Sequence, residues 1–536
     1  MSSSPGAIGA SRDRLLRTLL EADCYPHPVD RIEHLQTHIS DVILTGAYAY
    51  KLKKPLALGF LDFSTLEKRR HFCEEELRLN RRTAPDLYLS VVPITGDAEH
   101  PRVGGTGVAF EYALQMRQFD QSGLLERVLA RGELYDRHID ELARLVAQFH
   151  AALPRATTQS KYGTPAAIMA PALQNFDQLR PLLEDDTDRT RLDQLQQWTS
   201  DQHRSLQPTF AQRRESGFVR ECHGDLHLAN MVLIGDRVRI FDCIEFNPEL
   251  RWIDVMNEIA FVAMDLTQRA HAHFAYRFLD RYLQLTGDYE GVPLLRYYMV
   301  YRALVRAKVA VLRAQQEDVA PATRRSLAAR CRAHVELAAS LISAQPPLLV
   351  IMHGLSGSGK TSASQVLLET IPAIRIRSDV ERKRLQGLSA DARTGSTLET
   401  GLYSASASEA TYERLRLLAR MVLIGGFSAL VDAAFLRHAQ RNRLRSLAQE
   451  LGLRFAIVHA QATPGTLRSR IARRAAAAGD ASEATIEVLE HQLRTQDPLD
   501  AEELRSTLIL DTERDDERTI AEKATRQLLA PDSPKM

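Results

Sequence analysis

The chain has 536 residues, too many for one compact core at roughly 100–200 residues per domain, so its length indicates about three folded units. Hydrophobic residues make up 44% and charged residues 26%, a usage typical of globular proteins that excludes an intrinsically disordered chain. The 69 basic and 68 acidic residues leave a net charge of +1, so nucleic acid or an anionic membrane would need a local patch.

The cysteine spacing and the hydropathy pattern indicate a cytoplasmic protein. The five cysteines are widely spaced, with neither a disulfide-framework pattern nor a CxxC motif. The first dozen residues are small and polar without an apolar signal segment, and no run of 18 apolar residues occurs. We therefore expect neither export nor a membrane span.

The N-terminal region, residues 30–120, is predicted to form a small α+β lobe. Before it, residues 1–29 are predicted to be a frayed tail and a helix with periodicity from Arg12 to Ala22. Inside the lobe we expect an antiparallel meander, a charged helix opened by a capping box at Ser64 to Glu67, and two further strands. These strands are predicted over residues 32–53, 88–94 and 108–119.

Residues 121–342 are predicted to form a mainly helical large lobe. Helical periodicity runs to about Gln212, short strands follow, and helices resume from Trp252. The break SAQPP at 343–347 is the predicted linker. In the last region, residues 348–536, strands and helices alternate, and this alternation predicts a parallel α/β sheet.

The last region carries a phosphate-binding motif. Residues 354–361 read GLSGSGKT and fit G-x-x-x-x-G-K-[ST] between a predicted strand and a predicted helix. Backbone N–H groups of such a loop surround phosphates, Lys360 would reach the β and γ oxygens, and the Thr361 hydroxyl would ligate Mg²⁺. The predicted ATP-binding residues are Gly354, Ser356, Gly357, Ser358, Gly359, Lys360 and Thr361.

Four further residues of this region are candidates for catalysis. Asp379 follows the second strand, where it could be the acceptor base or the N-cap of the next helix. Asp432 ends the third strand and could hold Mg²⁺ through water or could be a turn residue. Arg470 and Arg474, four apart on a helix, suit a lid over the transferred phosphate but also suit a solvated surface.

This half resembles the P-loop kinase family that contains polynucleotide 5′-hydroxyl kinases, zeta-type toxins and small-metabolite kinases. The resemblance covers residues from about Leu348 to Leu529. It implies that Asp379 is the acceptor base and that Arg470 and Arg474 are lid arginines.

A second constellation lies in the large lobe. His223-Gly-Asp225-Leu-His227-Leu-Ala-Asn230 precedes a hairpin, and Asp242 ends the next strand. This spacing is that of a protein-kinase catalytic loop, with Asp225 as base and with Asn230 and Asp242 as Mg²⁺ ligands. A transition-metal site on the two histidines and a purely structural turn are the alternatives.

Residues 30 to 340 resemble the aminoglycoside phosphotransferase and choline kinase family, whose signature HGDxHxxN is present. The resemblance implies a phosphate-positioning lysine on a small-lobe strand, paired with a glutamate on the following helix. For the lysine, Lys51 is favoured and Lys53 is the alternative. For the glutamate, Glu76 is favoured and Glu75 is the alternative. The hinge that receives adenine is expected around Gln115 to Arg117, which makes Met116 a cofactor-binding candidate.

The predicted fold is an α+β two-lobed protein-kinase-like domain followed by an α/β P-loop NTPase domain with a parallel sheet. The predicted function is a bifunctional phosphotransferase that uses ATP and Mg²⁺ to phosphorylate hydroxyl groups of small molecules.

A nucleotide-dependent regulatory protein is one alternative. The other is a 5′-hydroxyl nucleic-acid kinase, in which Arg377, Arg382 and Lys383 around Asp379 would hold an anionic acceptor. The acidic run at 184–188 is interpreted as a solvated helix end, so no aminoglycoside acceptor is inferred.

Overall fold

A computed structural model describes residues 5–58, 61–183, 185–316, 319–343, 345–389, 405–476 and 485–529. In these ranges the predicted fold class is confirmed, with a two-lobed kinase-like region followed by a domain built on five parallel strands. None of the described helices has both the length and the apolar character needed to cross a bilayer.

The small lobe is a six-stranded antiparallel sheet with one helix packed against it. The strand order is β1-β2-β3-β8-β6-β7, and helix α2 packs on β6 and β8. Its elements are β1 (Glu33–Gln36), β2 (Ser40–Leu44), β3 (Tyr48–Lys53), β4 (Ala57–Leu58), β5 (Leu61–Asp62), α2 (Leu66–Asn80), β6 (Tyr88–Thr95), β7 (Arg102–Val103) and β8 (Ala109–Arg117). The predicted meander is therefore present as β1 to β3.

Two local predictions in this lobe were wrong. The capping residue of α2 is Thr65, whose hydroxyl accepts from the Lys68 N–H, and not Ser64. The predicted N-terminal tail is instead largely helical, since α1 spans Pro5–Thr18. Leu15 of α1 and Leu19 just after it are buried in the small-lobe core.

The large lobe is helical, with two short β ladders near its catalytic loop. Its elements are α3 (Leu125–Ala130), α4 (Asp136–Ala152), α5 (Pro165–Leu179), α6 (Asp186–Glu215), β9 (Val219–Glu221), β10 (Met231–Ile234), β11 (Arg237–Ile240), α7 (Pro248–Arg251), β12 (Trp252–Asp254), α8 (Val255–Gln268), α9 (Ala272–Thr286), α10 (Val292–Ala314) and α11 (Pro321–Ile342). Short 3₁₀ turns lie at Ala22–Cys24, Gln121–Gly123, Arg180–Leu182, Leu228–Asn230 and Tyr289–Gly291. Trp252 lies in a strand rather than a helix because β12 pairs with β9.

The last domain is a parallel sheet with the strand order β14-β15-β13-β16-β17. Its elements are β13 (Leu348–His353), α12 (Lys360–Thr370), β14 (Ala373–Arg377), α13 (Ser378–Leu385), α14 (Ala405–Ile424), β15 (Ser428–Asp432), α15 (His438–Glu450), β16 (Arg454–Gln461), α16 (Pro464–Ala476), α17 (Ile486–Thr495), α18 (Ala501–Arg505), β17 (Thr507–Asp511) and α19 (Glu517–Leu528). The alternation of strands and helices and the parallel sheet predicted for this region are therefore present.

The large lobe and the last domain share one apolar core. The same cluster of buried side chains includes Leu283 and Leu295 of the large lobe and Ile374 and Leu418 of the last domain. Helix α9 contacts both α12 and β14. The two halves are therefore packed together through buried surface and not joined by the linker alone.

Leu19→Ala should lower the free energy of unfolding by about 2–4 kcal/mol, because it opens a cavity in the small-lobe core. The neighbouring Leu20 is 43% exposed, so Leu20→Ala is the matched control and should change stability by less than about 0.5 kcal/mol. Urea unfolding followed by circular dichroism measures both. Equal effects of the two substitutions would show that this segment does not pack on the lobe.

Candidate active sites

The candidate catalytic loop is held by hydrogen bonds that fix the ring of His223. Its Nδ1 accepts from the Asp225 N–H at 3.3 Å, and its Nε2 donates to the Phe241 carbonyl at 2.9 Å. Burial lowers the pKa of His223, which agrees with a neutral ring that donates at one nitrogen and accepts at the other. This ring ties the segment that carries Asp225 to the strand end before Asp242.

The carboxylate of Asp225 is 34% exposed and lies among polar partners. Asn230 donates its side-chain amide to Asp225 Oδ2 at 2.8 Å, and His227 Nε2 lies 3.3 Å from the same oxygen. Arg306 of α10 in turn approaches His227 Nε2 to 3.1 Å. Burial raises the pKa of Asp225, but His227 and Arg306 outweigh it and hold this pKa below its ordinary value. Asp225 is therefore ionised at neutral pH.

The backbone of this loop is anchored by two carboxylates of α8. Glu258 accepts from the N–H groups of His223 and Gly224, at 2.6 and 2.9 Å, and Asp265 accepts from the Leu228 N–H at 3.0 Å. Sequence reasoning missed both acids. The sequence did contain a signal for them. The two acids stand seven residues apart, about two helical turns, so they share one face of a largely apolar helix.

Gly224 is required by its position. Its φ is +88°, and an added Cβ would lie 2.8 Å from the Leu250 carbonyl oxygen. Arg302 of α10 donates to the Gly224 carbonyl at 2.9 Å. The turn between His223 and Asp225 is thus held by α8 from one side and by α10 from the other.

Lys51 lies between the small lobe and the catalytic loop. Its Nζ is 2.8 Å from Glu76 Oε1 and 2.5 Å from Asp242 Oδ1. Burial lowers the pKa of Lys51, but Asp242 and Glu76 outweigh it and raise this pKa well above its ordinary value. Glu75, the open alternative to Glu76, pairs instead with Arg78 and Arg251.

Lys53 occupies a deeper position on the same face of β3. It is fully buried, 2.7 Å from Glu76 Oε2 and paired with Glu245. Burial raises the pKa of Glu76, but Lys51 and Lys53 outweigh it and lower this pKa to about 2, whereas burial raises the pKa of Glu245. Of the two lysines, Lys51 is the one that contacts Asp242. Sequence reasoning assigned no partner to Glu245, since its contact with Lys53 joins residues 192 positions apart.

The segment expected to be the hinge forms the end of the last strand of the small lobe. Gln115, Met116 and Arg117 all lie in β8, and the Arg117 N–H donates to the Leu87 carbonyl at 2.8 Å. The chain leaves the sheet at Gln118, whose side chain accepts from the Gly46 N–H. The backbone near Met116 is thus engaged in sheet pairing with Ala49 and Tyr88.

Asn230 and Asp242 offer oxygen ligands of the type that Mg²⁺ prefers. The Asn230 amide nitrogen faces Asp225, so its oxygen points away from that carboxylate. Asp242 has a φ of +65°, and its N–H donates to the Tyr88 hydroxyl at 3.1 Å. A non-glycine residue held in this conformation is unusual and indicates a constrained position. These residues fit a divalent cation between the two lobes.

The glycine loop after β13 forms a cradle of the shape that phosphate requires. Gly357 has a φ of +81°, and an added Cβ would lie 2.8 Å from the Leu467 carbonyl oxygen. The Ser358 hydroxyl is buried in the loop without a hydrogen-bond partner among the described residues. Lys360 begins α12, and its Nζ donates to the Leu355 carbonyl at 2.7 Å across the loop. The loop therefore fits an anion at a helix N-terminus.

Asp432 lies at the end of β15, next to the helix that carries Thr361. Asp432 is 5% exposed, and the Ser364 hydroxyl lies 3.1 Å from its Oδ2 and 3.0 Å from the Thr361 carbonyl. Arg377 of the paired strand β14 is 3.8 Å from the same carboxylate. Thr361 and Asp432 fit a Mg²⁺ held partly through water.

Asp379 lies in the first turn of α13 and does not cap it, because the N-cap is Arg377. Its carboxylate accepts from Arg382 at 3.1 Å. Arg470 of α16 donates to Thr512 Oγ1 and to the Gly357 carbonyl, at 2.8 and 3.4 Å, so it lies against the glycine loop. Arg474 is on the same helix, and its side chain lies outside the described residues.

Lys53→Met should destabilise the small lobe by about 3–5 kcal/mol, because it leaves Glu245 and Glu76 buried with one cation fewer. Burial raises the pKa of Glu245, so the folded state binds this proton more readily than the unfolded state and gains stability as the pH falls. The loss of unfolding free energy caused by Lys53→Met should therefore be larger at pH 8 than at pH 5, as measured by urea unfolding. The double variant Lys53→Met/Glu245→Met should recover most of this free energy. A loss that persists in the double variant would refute the assigned pairing.

Family models match both halves of the chain. The model described as phosphotransferase enzyme family matches residues 106–295, which include the candidate catalytic loop. The model described as AAA domain matches residues 349–499, which include the glycine loop and Asp432. The segment that carries Lys51 and Glu76 precedes the first match.

Uncharacterized proteins of Mycobacterium tuberculosis and Mycobacterium bovis are 28% identical to this chain over 474 residues, 87% of this chain and 91% of each relative. A choline/ethanolamine kinase family protein from Mesorhizobium loti covers 62% of this chain and 98% of its own, with 12% identity and a TM-score of 0.35. The Mycobacterium tuberculosis APS kinase, in complex with AMPPNP and APS, covers 35% of this chain and all of its own, with 18% identity and a TM-score of 0.27.

Proposed function

We propose that this chain, which carries a phosphotransferase enzyme family domain followed by an AAA domain of the P-loop kinase type, is a bifunctional kinase. Each half transfers the γ-phosphate of ATP to a hydroxyl group of a small molecule. The observation that carries the proposal is the presence of two complete sets of charged residues, one around Asp225 and one around Lys360. Each set contains a candidate base, a phosphate-binding cation and oxygen ligands for Mg²⁺.

In the first half, Asp225 accepts the proton of the acceptor hydroxyl. Its lowered pKa keeps it ionised, so it orients the hydroxyl by accepting a hydrogen bond before the proton moves. Lys51, held by Glu76, binds the phosphates of ATP beside Asp242. Asn230 and Asp242 would hold Mg²⁺, which neutralises charge on the phosphates when bound.

In the second half, the glycine loop and Lys360 bind the β- and γ-phosphates. Thr361 and Asp432 would hold the Mg²⁺ of this site. Asp379, at the carboxyl end of β14, is the acceptor base, and its contact with Arg382 keeps its carboxylate in place. Arg470 and Arg474 are the lid arginines, with Arg470 against the Gly357 carbonyl.

A small-molecule acceptor is favoured over a nucleic-acid end for this second site. The cations expected to hold a polynucleotide are largely engaged inside the domain. Arg382 pairs with Asp379, Arg377 approaches Asp432, and Lys383 is 3% exposed. Tracking a phosphate backbone requires several exposed cations on one surface.

The acceptor of the first half enters an aromatic cavity of about 320 Å³ next to the catalytic loop. Tyr162 and Trp252 stack at 5.5 Å across part of its wall. Arg302, which donates to the Gly224 carbonyl, also lines the cavity and connects it to the residue before Asp225. The remaining aromatic lining residues are Tyr297, Tyr298 and Tyr301. This lining selects a small alcohol that offers an apolar or cationic face to the rings.

Transfer of labelled γ-phosphate from ATP into a panel of sugars, nucleosides, amino alcohols, aminoglycosides and 5′-hydroxyl oligonucleotides tests the proposal. Asp225→Asn should reduce labelling of one product class by at least about 100-fold, because it removes the base. Lys360→Ala should abolish labelling of the other. The matched controls are Asp236→Asn in an exposed turn and Lys523→Ala on α19. Label retained by both variants would refute the assigned roles, and ATP binding without any transfer would favour a nucleotide-dependent switch.

Trp252→Ala should raise the KM of the acceptor found for the first half by about tenfold, because one stacking ring of the cavity is lost. The KM for ATP should stay unchanged, since Lys51, Glu76 and Asp242 are not among the residues that line the cavity. Tyr135→Ala, at a ring that is 48% exposed and outside the cavity, is the control. An unchanged acceptor KM would place the acceptor elsewhere.

A further inference from the structure

The P-loop half contains a buried ion pair whose acidic member comes from the kinase-like half. Arg375 of β14 donates to both oxygens of Asp280 on α9, from Nη2 at 2.8 Å and from Nε at 3.2 Å. Both side chains are 5% exposed. A bidentate pair removed from water to this degree fixes the guanidinium in one orientation.

The other side of the same guanidinium faces the nucleotide-binding helix. Arg375 Nη1 donates to the Ser364 hydroxyl at 3.0 Å and lies 3.5 Å from the Thr361 carbonyl. The Ser364 hydroxyl is in turn 3.1 Å from Asp432 Oδ2. Three successive hydrogen-bonded contacts, through Arg375 and Ser364, therefore connect Asp280 of the large lobe to the carboxylate proposed to hold Mg²⁺.

Helix α9, which carries Asp280, and the segment after it cover the edge of the P-loop sheet. Strand β14 is the edge strand, and the Tyr289 hydroxyl of the large lobe donates to the Arg375 carbonyl at 3.1 Å. Gln284, one turn after Asp280, donates to the Asp280 carboxylate at 2.6 Å and accepts from Arg377 at 3.5 Å. The position of Arg375 is thus fixed from the large lobe at both backbone and side chain.

We infer that Asp280 is a positioning residue of the P-loop site, which neutralises Arg375 and so keeps Asp432 available to Mg²⁺. Ser364 connects Arg375 to Asp432 by hydrogen bonds, and a buried guanidinium that loses its carboxylate partner is stabilised by another acid. Asp432 is such an acid, since burial lowers the pKa of Arg375 but the charge of Asp432 adds to that of Asp280 in raising it. Loss of the Asp280 charge would let Arg375 compete with Mg²⁺ for Asp432. The inference rests on the nucleotide site proposed for this half, and it makes that site dependent on the kinase-like half.

Binding of a fluorescent, non-hydrolysable ATP analogue to the full chain, titrated with Mg²⁺, tests this role. The part of the signal that Lys360→Ala removes belongs to the P-loop half. In Asp280→Asn, the Mg²⁺ concentration for half-maximal binding should rise about tenfold. The double variant Asp280→Asn/Arg375→Met should return to within about twofold of the wild type, because the competing cation is gone.

Glu290→Gln is the matched control, because Glu290 also pairs across the two halves, with Arg414, but does not reach Asp432. Its Mg²⁺ dependence should equal that of the wild type. Where Asp280→Asn does not fold, Arg375→Met alone replaces it, and its half-maximal Mg²⁺ concentration should be no higher than that of the wild type, because the competing cation is gone.

An unchanged Mg²⁺ dependence in Asp280→Asn, or a raised Mg²⁺ requirement in Arg375→Met where it stands in, would overturn the inference. A double variant as impaired as the single one would also overturn it, because the ion pair would then have only a structural role. A wild-type chain with no binding component sensitive to Lys360→Ala would overturn the proposed function of this half, and the inference with it.

Discussion

The continuous core between the large lobe and the P-loop sheet is the constraint on which the rest of the structure depends. Side chains of α9 and α10 pack in the same buried cluster as those of β14 and α14, so the two halves cannot separate without exposing apolar surface. Interfaces between domains of one chain are usually more polar and permit relative motion. Here the two candidate active sites are held on one packed body.

Buried charges occur in this body as compensated sets, and two of these sets lie beside the candidate sites. Lys51 and Lys53 share Glu76, which places a cation at Asp242 without leaving a charge unpaired. Asp280 and Arg375 do the same beside the glycine loop. Burial makes each such group costly when its partner is lost. The same interactions that stabilise the fold therefore determine the electrostatics of the sites.

Helix α9 shows how closely the two sites are connected. Asp280 and Gln284 lie on its side toward the P-loop sheet, while the Tyr282 hydroxyl lies 2.8 Å from His150 Nδ1 in the large lobe. His150 is 3.9 Å from Glu258, which anchors the catalytic loop. One helix thus contributes contacts to the surroundings of both candidate active sites, through residues two positions apart.

Features that depend on neighbouring residues could be predicted from the amino-acid sequence. They are the parallel sheet, the glycine loop and the spacing from His223 to Asp242, because each is encoded in a short continuous stretch of the chain. The N-cap of α2 and the start of the first helix, at Pro5 and not at Arg12, were missed. Folding alone places Glu76 and not Glu75 beside Lys51, gives Lys53 its partner Glu245 and brings Asp280 to Arg375. These contacts join residues 23 to 192 positions apart, and ion pairing carries no signal along the chain until folding has placed both charges in the same buried space.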